Sequence, residues 1–414
     1  MLHLYEIPLF FVLCGLALYT VLGGADFGAG WWQLAAGRGR HAERIRDHAH
    51  HAMAPVWEAN HVWLVFVLTV FWTTYPVAFG SIMSTLAIPL FIAGVGIILR
   101  GATYALRAAA ESPHEVRRID TAFAFSSILT PFALGAAVGG IASRRVPVGN
   151  AAGDHIDSWL NPTSISIGIL AVVAAAYMAA VFLSADAVRI GDSDLEGAFR
   201  IRALATGAVA GGVAIAALFV VRSDAHPLFH RLVDGRGLPA LIVSMAAGVT
   251  TLTLVWRRRY EPARYSAAVA VAAIIAGWAL AQAPVLLPRL TVRAAAAPRE
   301  TLIAVIVAVV AGAVVLFPSL AWLFKLVLSG RFDEPERPPA HPPVRDLLHT
   351  TARGLSARVA VALLIAGFGL TTIAESRWAH AIGVTSLLAF VALAFPSALP
   401  PEVTPGETAR RLPD

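Results

Sequence analysis

The chain has 414 residues, of which 57% are apolar and only 14% are charged, and its mean hydropathy is +0.70. This composition excludes an ordinary soluble domain and indicates a polytopic membrane protein. The formal charge of +6 does not indicate a nucleic-acid partner, because the basic residues lie in short loops between apolar segments. The single cysteine, Cys14, leaves neither a disulfide framework nor a thiolate metal site.

Eleven apolar segments are candidate transmembrane helices of an all-α fold. Their approximate bounds are 7–28, 55–74, 77–99, 120–142, 163–185, 203–221, 238–256, 266–288, 301–328, 358–374 and 380–395. Counted on alternate sides of the membrane, 23 of the 32 Lys and Arg residues fall on one side, which predicts an outside N-terminus and a cytoplasmic C-terminus. No basic residue precedes Arg38, so the first segment is predicted to be retained rather than cleaved as a signal.

The first segment ends in the glycine-rich motif GGADFGAGWW. Gly24 and Gly28 form a small-xxx-small pair that would let another helix approach closely. Asp26, between them, is predicted near the inner end of the helix, where a desolvated carboxylate can load and release protons. The alternative is a structural role, as a helix-end cap or in a salt bridge to Arg100 or Arg107.

The second segment carries the motif APVWEANHVWL, in which an acid, an amide and an imidazole interrupt a lipid-buried pattern. Pro55 suits a first helical turn, which places Glu58 just inside the inner end of the helix. Helical spacing puts His61 beside Glu58, on a face that overlaps with that of Trp57. These groups predict a proton path. The alternative is a packing cluster in which Glu58, Asn60 and His61 only hydrogen-bond to neighbouring helices.

The third segment ends with three residues, Arg100, Tyr104 and Arg107, that share one helical face. Three roles are open for them. They would neutralise Asp26 or Glu58, stabilise an anionic cofactor of a partner, or anchor lipid headgroups, which is the commonest role at such a boundary.

The eighth segment reads WALAQAPVLLP near its end. Pro284 is predicted to kink or end this helix. Gln282 and Trp278 are candidate contacts for a quinone or a lipid. An interhelical hydrogen bond from Gln282 is the favoured interpretation.

Among the thirteen histidines only His61 is predicted well inside a segment, together with three methionines, Met83, Met178 and Met245. A haem between transmembrane helices needs axial ligands such as His or Met at that depth, whereas methionine is more commonly a flexible core filler. The sequence contains no P-loop, CxxC, Rossmann glycine set or HExxH. It therefore predicts no catalytic residue and no metal site here, and any redox centres are assigned mainly to another chain.

The segments divide into two groups. Residues 332–346 are Pro-rich and charged, which predicts a semi-extended linker. The linker separates a working unit, 1–331, from an appended transmembrane hairpin at 347–395. Residues 396–414 are predicted to form a disordered cytoplasmic tail.

Together the motifs resemble those of a known family. GGADFGAGWW, then PVWEANHVWL, LRG in the third helix, QAPVLLP and a long ninth helix ending in WLFKLVLSGRF resemble subunit II of the bacterial cytochrome bd quinol oxidases. The resemblance covers 1–331. It implies a nine-helix core of two four-helix bundles plus a peripheral helix, here with two extra C-terminal transmembrane helices.

The resemblance also implies partners and chemistry. A haem-bearing subunit I would hold two b-type haems, one d-type haem and the quinol site, and small accessory subunits and membrane lipids would be further partners. The complex would oxidise quinol on the outer side of the bacterial inner membrane and reduce dioxygen to water. It would take protons from the cytoplasm without pumping them. Subunit II would supply a scaffold and part of the proton route.

Residue by residue, Glu58 matches the acid of the family motif P-x-W-[DE]-x-N, and Asp26 matches the acid of the glycine-rich motif. Trp57, Asn60 and Trp63 match the same segment and are expected to hold its geometry. Many members have an additional Asp where Gly23 stands, so a path through that carboxylate does not transfer to this chain. A stand-alone proton-coupled transporter is the alternative function, disfavoured because no internal repeat is evident.

Overall fold

A computed structural model gives the fold of the chain. The described residues are 3–107, 113–328 and 376–398, with six further positions from 359 to 370. The side chains of residues 53–59 lie outside this description. So do the predicted linker at 332–346, most of the predicted helix at 358–374, and the tail beyond residue 398.

The described residues are almost entirely helical, which confirms the predicted all-α membrane fold. A short 3-10 helix, Leu4–Glu6, precedes α1 Ile7–Ala35, α2 Arg40–Thr74, α3 Pro76–Thr85, α4 Ala87–Arg107, α5 Pro113–Ala142 and α6 Pro162–Arg189. There follow α7 Ser193–Asp224, α8 His226–Val233, α9 Leu238–Trp256, α10 Tyr260–Gln282, strands β1 Val285–Leu287 and β2 Leu290–Thr291, α11 Val292–Ala295 and α12 Arg299–Leu328. A last helix, α13, covers Arg377–Ala398.

Seven of the helices in the described part are long and apolar enough to cross a membrane: α1, α5, α6, α7, α9, α10 and α12. The bent pair α3 and α4 makes an eighth if it is one span. Shorter apolar stretches occur at Asn60–Thr74 in α2 and Ala381–Phe390 in α13. The chain is therefore a multi-pass membrane protein.

The third predicted span, 77–99, is not one straight helix. The axes of α3 and α4 differ by 83° across a break at Leu86. Pro89 explains the break, since proline has no N–H to donate to the carbonyl of Thr85 and its ring clashes with that carbonyl in a continuous helix. The neighbouring bonds persist, from Leu86 N to Ile82 O at 2.9 Å and from Leu90 N to Leu86 O at 3.1 Å.

The ends of the first two helices also differ from prediction. Helix α1 continues to Ala35 and α2 begins at Arg40 rather than at Pro55, so neither Asp26 nor Glu58 lies in a terminal turn. The early part of α2 is amphipathic: its buried residues Ala42, Ile45, His48 and Ala49 repeat at helical spacing. Their packing extends the helix beyond the apolar segment that hydropathy marks.

The eighth predicted span, 266–288, ends early. Helix α10 stops at Gln282, as expected from Pro284, and the chain then forms an antiparallel hairpin in which Val285 pairs with Thr291. Val292 N donates to Pro284 O at 3.0 Å and closes the hairpin. Buried Leu287 and Leu290 of the hairpin pack in a cluster around Tyr75.

Contacts divide the chain into two units, Met1–Phe317 and Pro318–Asp414. In the first unit α1 is central and packs against α2, α5, α6 and α10. The largest buried cluster joins α1, α2, α6, α7 and α10, with Trp32 of α1 donating from Nε1 to the carbonyl of Ala176 in α6 at 2.9 Å. The predicted boundaries at residues 331 and 347 stay predictions.

Candidate functional site

A buried polar cluster lies where α1, α4 and α5 meet. Arg100 donates from Nε to Asp26 Oδ2 at 2.9 Å, and its Nη2 donates both to Asp26 Oδ1 and to the Asp26 carbonyl. Arg100 and Asp26 are both 0% exposed. The third arm, Nη1, donates to Ser127 Oγ, which itself donates to the Phe123 carbonyl at 2.6 Å.

Aromatic rings enclose the same guanidinium. Its central carbon lies 4.1 Å from the ring centroid of Phe123 and 5.1 Å from that of Phe27. Cation–π contact and a bidentate carboxylate are the two arrangements that suit a buried arginine. Removing one partner of such a pair costs about 3–5 kcal/mol, because the remaining charge is left uncompensated.

Of the two structural alternatives for Asp26, the salt bridge to Arg100 is present and the helix-end cap is not. Asp26 lies nine residues before the end of α1, so its carboxylate does not serve the terminus. The side chains of Tyr104 and Arg107 lie outside the described residues. Asp26 is thus buried inside the bundle and held by Arg100 of α4.

Contacts between α1 and α2 show which residues of the second motif lie beside which residues of α1. A Cβ placed on Gly15 would lie 2.8 Å from the Phe66 ring, and one placed on Gly23 would lie 2.9 Å from Asn60 Nδ2. The two helices are therefore antiparallel, with residue 58 of α2 about level with residues 24–26 of α1. The side chains of Glu58 and Trp57 lie outside the described part of the chain.

Asn60 is fully buried against Gly23. Within the described part of the chain, neither Nδ2 nor Oδ1 of Asn60 has a hydrogen-bond partner. An unpaired buried amide is costly unless water or another group satisfies it. The tight contact also explains why glycine suits position 23, since any larger residue would displace the amide.

His61 and Trp63 are half-buried on α2. Trp63 meets Phe66 edge-on, with ring centroids 6.0 Å apart, and packs beside a cluster formed by Tyr19, Phe27 and Ala175. Trp63 therefore packs at the α1–α2 interface, and its role in holding the geometry of the motif stays a prediction.

The two glycines of the small-xxx-small pair are not equivalent. A Cβ on Gly28 would lie 1.9 Å from the Ala175 carbonyl oxygen of α6, whereas one on Gly24 would come no closer than 3.7 Å, to Met178. Gly28 therefore permits the α1–α6 contact, and Gly24 only lines it. Gly30 was not predicted, yet a Cβ there would lie 2.0 Å from Ser127 Oγ.

Trp278 and Gln282 belong to a different part of the unit. Gln282 Nε2 donates to the Leu286 carbonyl at 3.2 Å, so its bond is local to the turn after α10 and the favoured interhelical bond was wrong. Trp278 packs beside a cluster that includes Leu228 and Ala281. Its Nε1 is buried without a partner among the described residues.

Sequence reasoning missed a polar network at the α1 C-terminal end of the bundle. Arg44 of α2 pairs with Asp192 at 2.5 Å and with Asp194 at 3.2 Å. The backbone N–H of Leu195 and the Arg44 guanidinium lower the pKa of Asp192. Buried His48 lies 3.1 Å from the Leu183 carbonyl. The signal was the helical spacing of buried residues between 42 and 49, which hydropathy alone does not detect.

Ser127 and Phe123, which complete the Arg100 site, were also missed. The pair Ser126 and Ser127 inside an otherwise apolar helix was the available signal. Among the described residues, no three His, Cys, Asp or Glu side chains come together as metal ligands.

The fold and this site define a polytopic membrane subunit whose central helices are joined by a buried ion pair. Comparison with known sequences makes this specific. The profile of the family described as cytochrome bd terminal oxidase subunit II matches residues 4–327, and the chain belongs to this family. The predicted resemblance is confirmed, and the chain is a component of an oxidoreductase complex that contains haem.

Two relatives come from Bacillus subtilis (strain 168). The chain is 28% identical to its cytochrome bd ubiquinol oxidase subunit 2 over 117 residues, which cover 28% of this chain and 34% of the relative. It is 21% identical over 324 residues to a second protein, provisionally named cytochrome bd menaquinol oxidase subunit II, covering 76% of this chain and 92% of that protein.

A solved structure has the same fold. The chain matches a chain of the bd oxidase from Geobacillus thermodenitrificans with a TM-score of 0.65 and 24% identity. The match covers 80% of this chain and 100% of that one.

Proposed function

We propose that this chain is the subunit of a cytochrome bd quinol oxidase that ligates no haem and that scaffolds a haem-bearing subunit I. The observation that carries the proposal is the family match over residues 4–327. In such a complex the haems, two of b type and one of d type, transfer electrons from quinol to dioxygen. Their placement in the partner subunit is part of the proposal.

The packing of candidate haem ligands supports that placement. Met178 is 1% exposed and packs on Gly24 at ordinary contact distance, so α1 and α6 leave no room for a porphyrin there. Met245 is 60% exposed on α9. His61 lies on another helix again, α2. Met178, Met245 and His61 therefore do not form a haem site between these helices.

We further propose that the chain supplies part of the proton route to the oxygen-reducing site. Glu58 is the proton carrier in this scheme, with His61 one turn further along α2. Asp26, which accepts hydrogen bonds from Arg100, is the second carboxylate of the proposed route and lies about level with Glu58. The buried amide of Asn60 offers a site for water between them.

The direction of the route follows from the basic loops. The α1 C-terminal end of the bundle carries the larger share of Arg residues, and we assign it to the cytoplasm. The N-terminus is then outside, in a bacterial inner membrane, and protons enter from the cytoplasmic side.

The test is to purify the tagged full-length chain from its native membrane and record a reduced-minus-oxidised visible spectrum. The proposal predicts a stoichiometric partner chain together with b- and d-type haem bands. After the two chains are separated, the partner chain should retain those bands, since the haems are assigned to it. A colourless chain that is stable alone would contradict the oxidase assignment and favour proton-coupled transport.

A further inference from the structure

A groove lies beside the contact between α7 and α9, where α9 ends. Its volume is about 600 Å³. The lining residues are Leu204 of α7 and Val249, Leu252, Thr253, Trp256 and Arg257 at the end of α9. Thr253 Oγ1 donates to the Val249 carbonyl at 2.9 Å, so its hydroxyl is satisfied by its own helix. The groove therefore has apolar walls and a cation at one end.

The floor of the groove is fixed by close packing. A Cβ on Gly207 would lie 2.5 Å from Leu252 Cδ2, so glycine lets α9 approach α7 at this point. Trp256, at the rim, is 71% exposed. An exposed tryptophan at the end of a membrane helix is typical of the headgroup level.

The charge at this end is strongly positive. Arg258 pairs with Glu196 at 3.2 Å and Arg264 with Glu261 at 3.2 Å. In the part of the chain that the structure describes, the guanidinium groups of Arg257 and Arg259 have no hydrogen bond or ion pair. Two arginines are thus left without a counter-charge beside an apolar groove.

The end of α9 would normally repel an anion, because helix C-termini carry partial negative charge. Arg200 removes this obstacle. It donates from Nη2 to the Trp256 carbonyl at 2.9 Å and from Nε to the Val255 carbonyl at 3.3 Å. The last carbonyls of α9 are therefore covered by a cation, and Arg257 remains available to an anionic ligand.

We propose that this groove binds an anionic phospholipid. One acyl chain lies along Leu204, Val249 and Leu252, and the phosphate is held by Arg257, with Arg259 adding to the local positive potential. Apolar walls select a chain rather than a soluble anion. A basic residue at the headgroup level selects an anionic lipid over a zwitterionic one.

The test uses the full-length chain with whatever proteins co-purify, delipidated in detergent. It is titrated with phosphatidylglycerol and with phosphatidylcholine of the same acyl chains, and bound lipid is counted by native mass spectrometry. Arg257→Gln should weaken phosphatidylglycerol binding about fivefold and leave phosphatidylcholine unchanged. Thr253→Phe, which fills the groove, should weaken both.

Two matched variants serve as controls. Arg236→Gln removes an exposed arginine beyond α8, and Ile242→Phe adds a ring to an exposed position of α9 about three turns away. Neither should change lipid binding. Equal binding of the two lipids, or wild-type affinity in Arg257→Gln, would overturn the proposal. If Thr253→Phe does not fold, Arg257→Gln decides by itself.

Discussion

Arg100 is held inside the bundle by Asp26, by Ser127 and by the rings of Phe27 and Phe123. This single side chain links α4 to both α1 and α5. An arginine at this depth is tolerated only when its charge and its five donors are matched. Removal of one partner of the ion pair is therefore expected to destabilise the protein, whatever part Asp26 plays in proton transfer.

Asp26→Asn should lower the free energy of unfolding of the purified protein by about 3–5 kcal/mol, since Arg100 loses its counter-charge. The double variant Asp26→Asn/Arg100→Met should recover part of this loss. The measurement is the midpoint of thermal unfolding in detergent. Arg44→Gln, which breaks an exposed pair, serves as the control and should change the midpoint little. An unchanged midpoint for Asp26→Asn would show that the pair does not stabilise the fold.

Gly23 and Asn60 form a second coupled pair. Gly23→Ala should destabilise the protein because the new Cβ would lie 2.9 Å from Asn60 Nδ2. The same substitution in an Asn60→Ala background should cost less, since the obstructing amide is absent. A thermal-unfolding double-mutant cycle measures the coupling. Additive effects would mean that the two residues are not in contact.

At the level of elements, the two glycines of α1 predict different outcomes. Gly28→Ala should force α1 and α6 apart, because its Cβ would fall 1.9 Å from the Ala175 carbonyl, and we expect a loss of about 1–3 kcal/mol or more. Gly24→Ala is the matched control and should be nearly neutral. Thermal unfolding of both variants checks this. Equal effects would contradict the observed packing.

The sequence predicted most helices because a membrane span is a long apolar run whose backbone must be paired internally. It failed where tertiary packing decides. The early part of α2 is polar by composition, yet Ala42, Ile45 and Ala49 bury one face of it. The break at Leu86 was missed because residues 77–99 form one apolar run, and hydropathy does not register the effect of Pro89.

The candidate site was predictable in part. The sequence offered Arg100 as a partner for Asp26 because both ionisable groups were predicted at the inner membrane boundary. It did not offer Ser127, since serines are common in membrane helices and only the fold shows which one faces the arginine. The sequence also could not predict which of Gly24 and Gly28 has less space for a side chain, because that depends on how closely α6 approaches α1.

For the whole molecule, orientation is the property that the proton route depends on most. In a Cys14→Ala background, Ala152→Cys lies in the exposed loop before α6, and Ser193→Cys lies at the exposed first residue of α7, beyond the other end of α6. On intact cells a membrane-impermeant maleimide should label Ala152→Cys at once. Ser193→Cys should be labelled only after permeabilisation, and the reverse pattern would invert the topology.

The central claim is that Glu58 carries protons into the oxidase complex. The most direct test measures the rates of quinol-driven oxygen consumption and of proton uptake in Glu58→Gln complexes. These complexes must be assembled and have wild-type haem content. The account predicts at least a tenfold loss of both rates, substantial retention in Glu58→Asp, and no loss in Glu300→Gln, which removes an exposed acid at the start of α12. Wild-type rates in Glu58→Gln would contradict the account and leave this chain a scaffold.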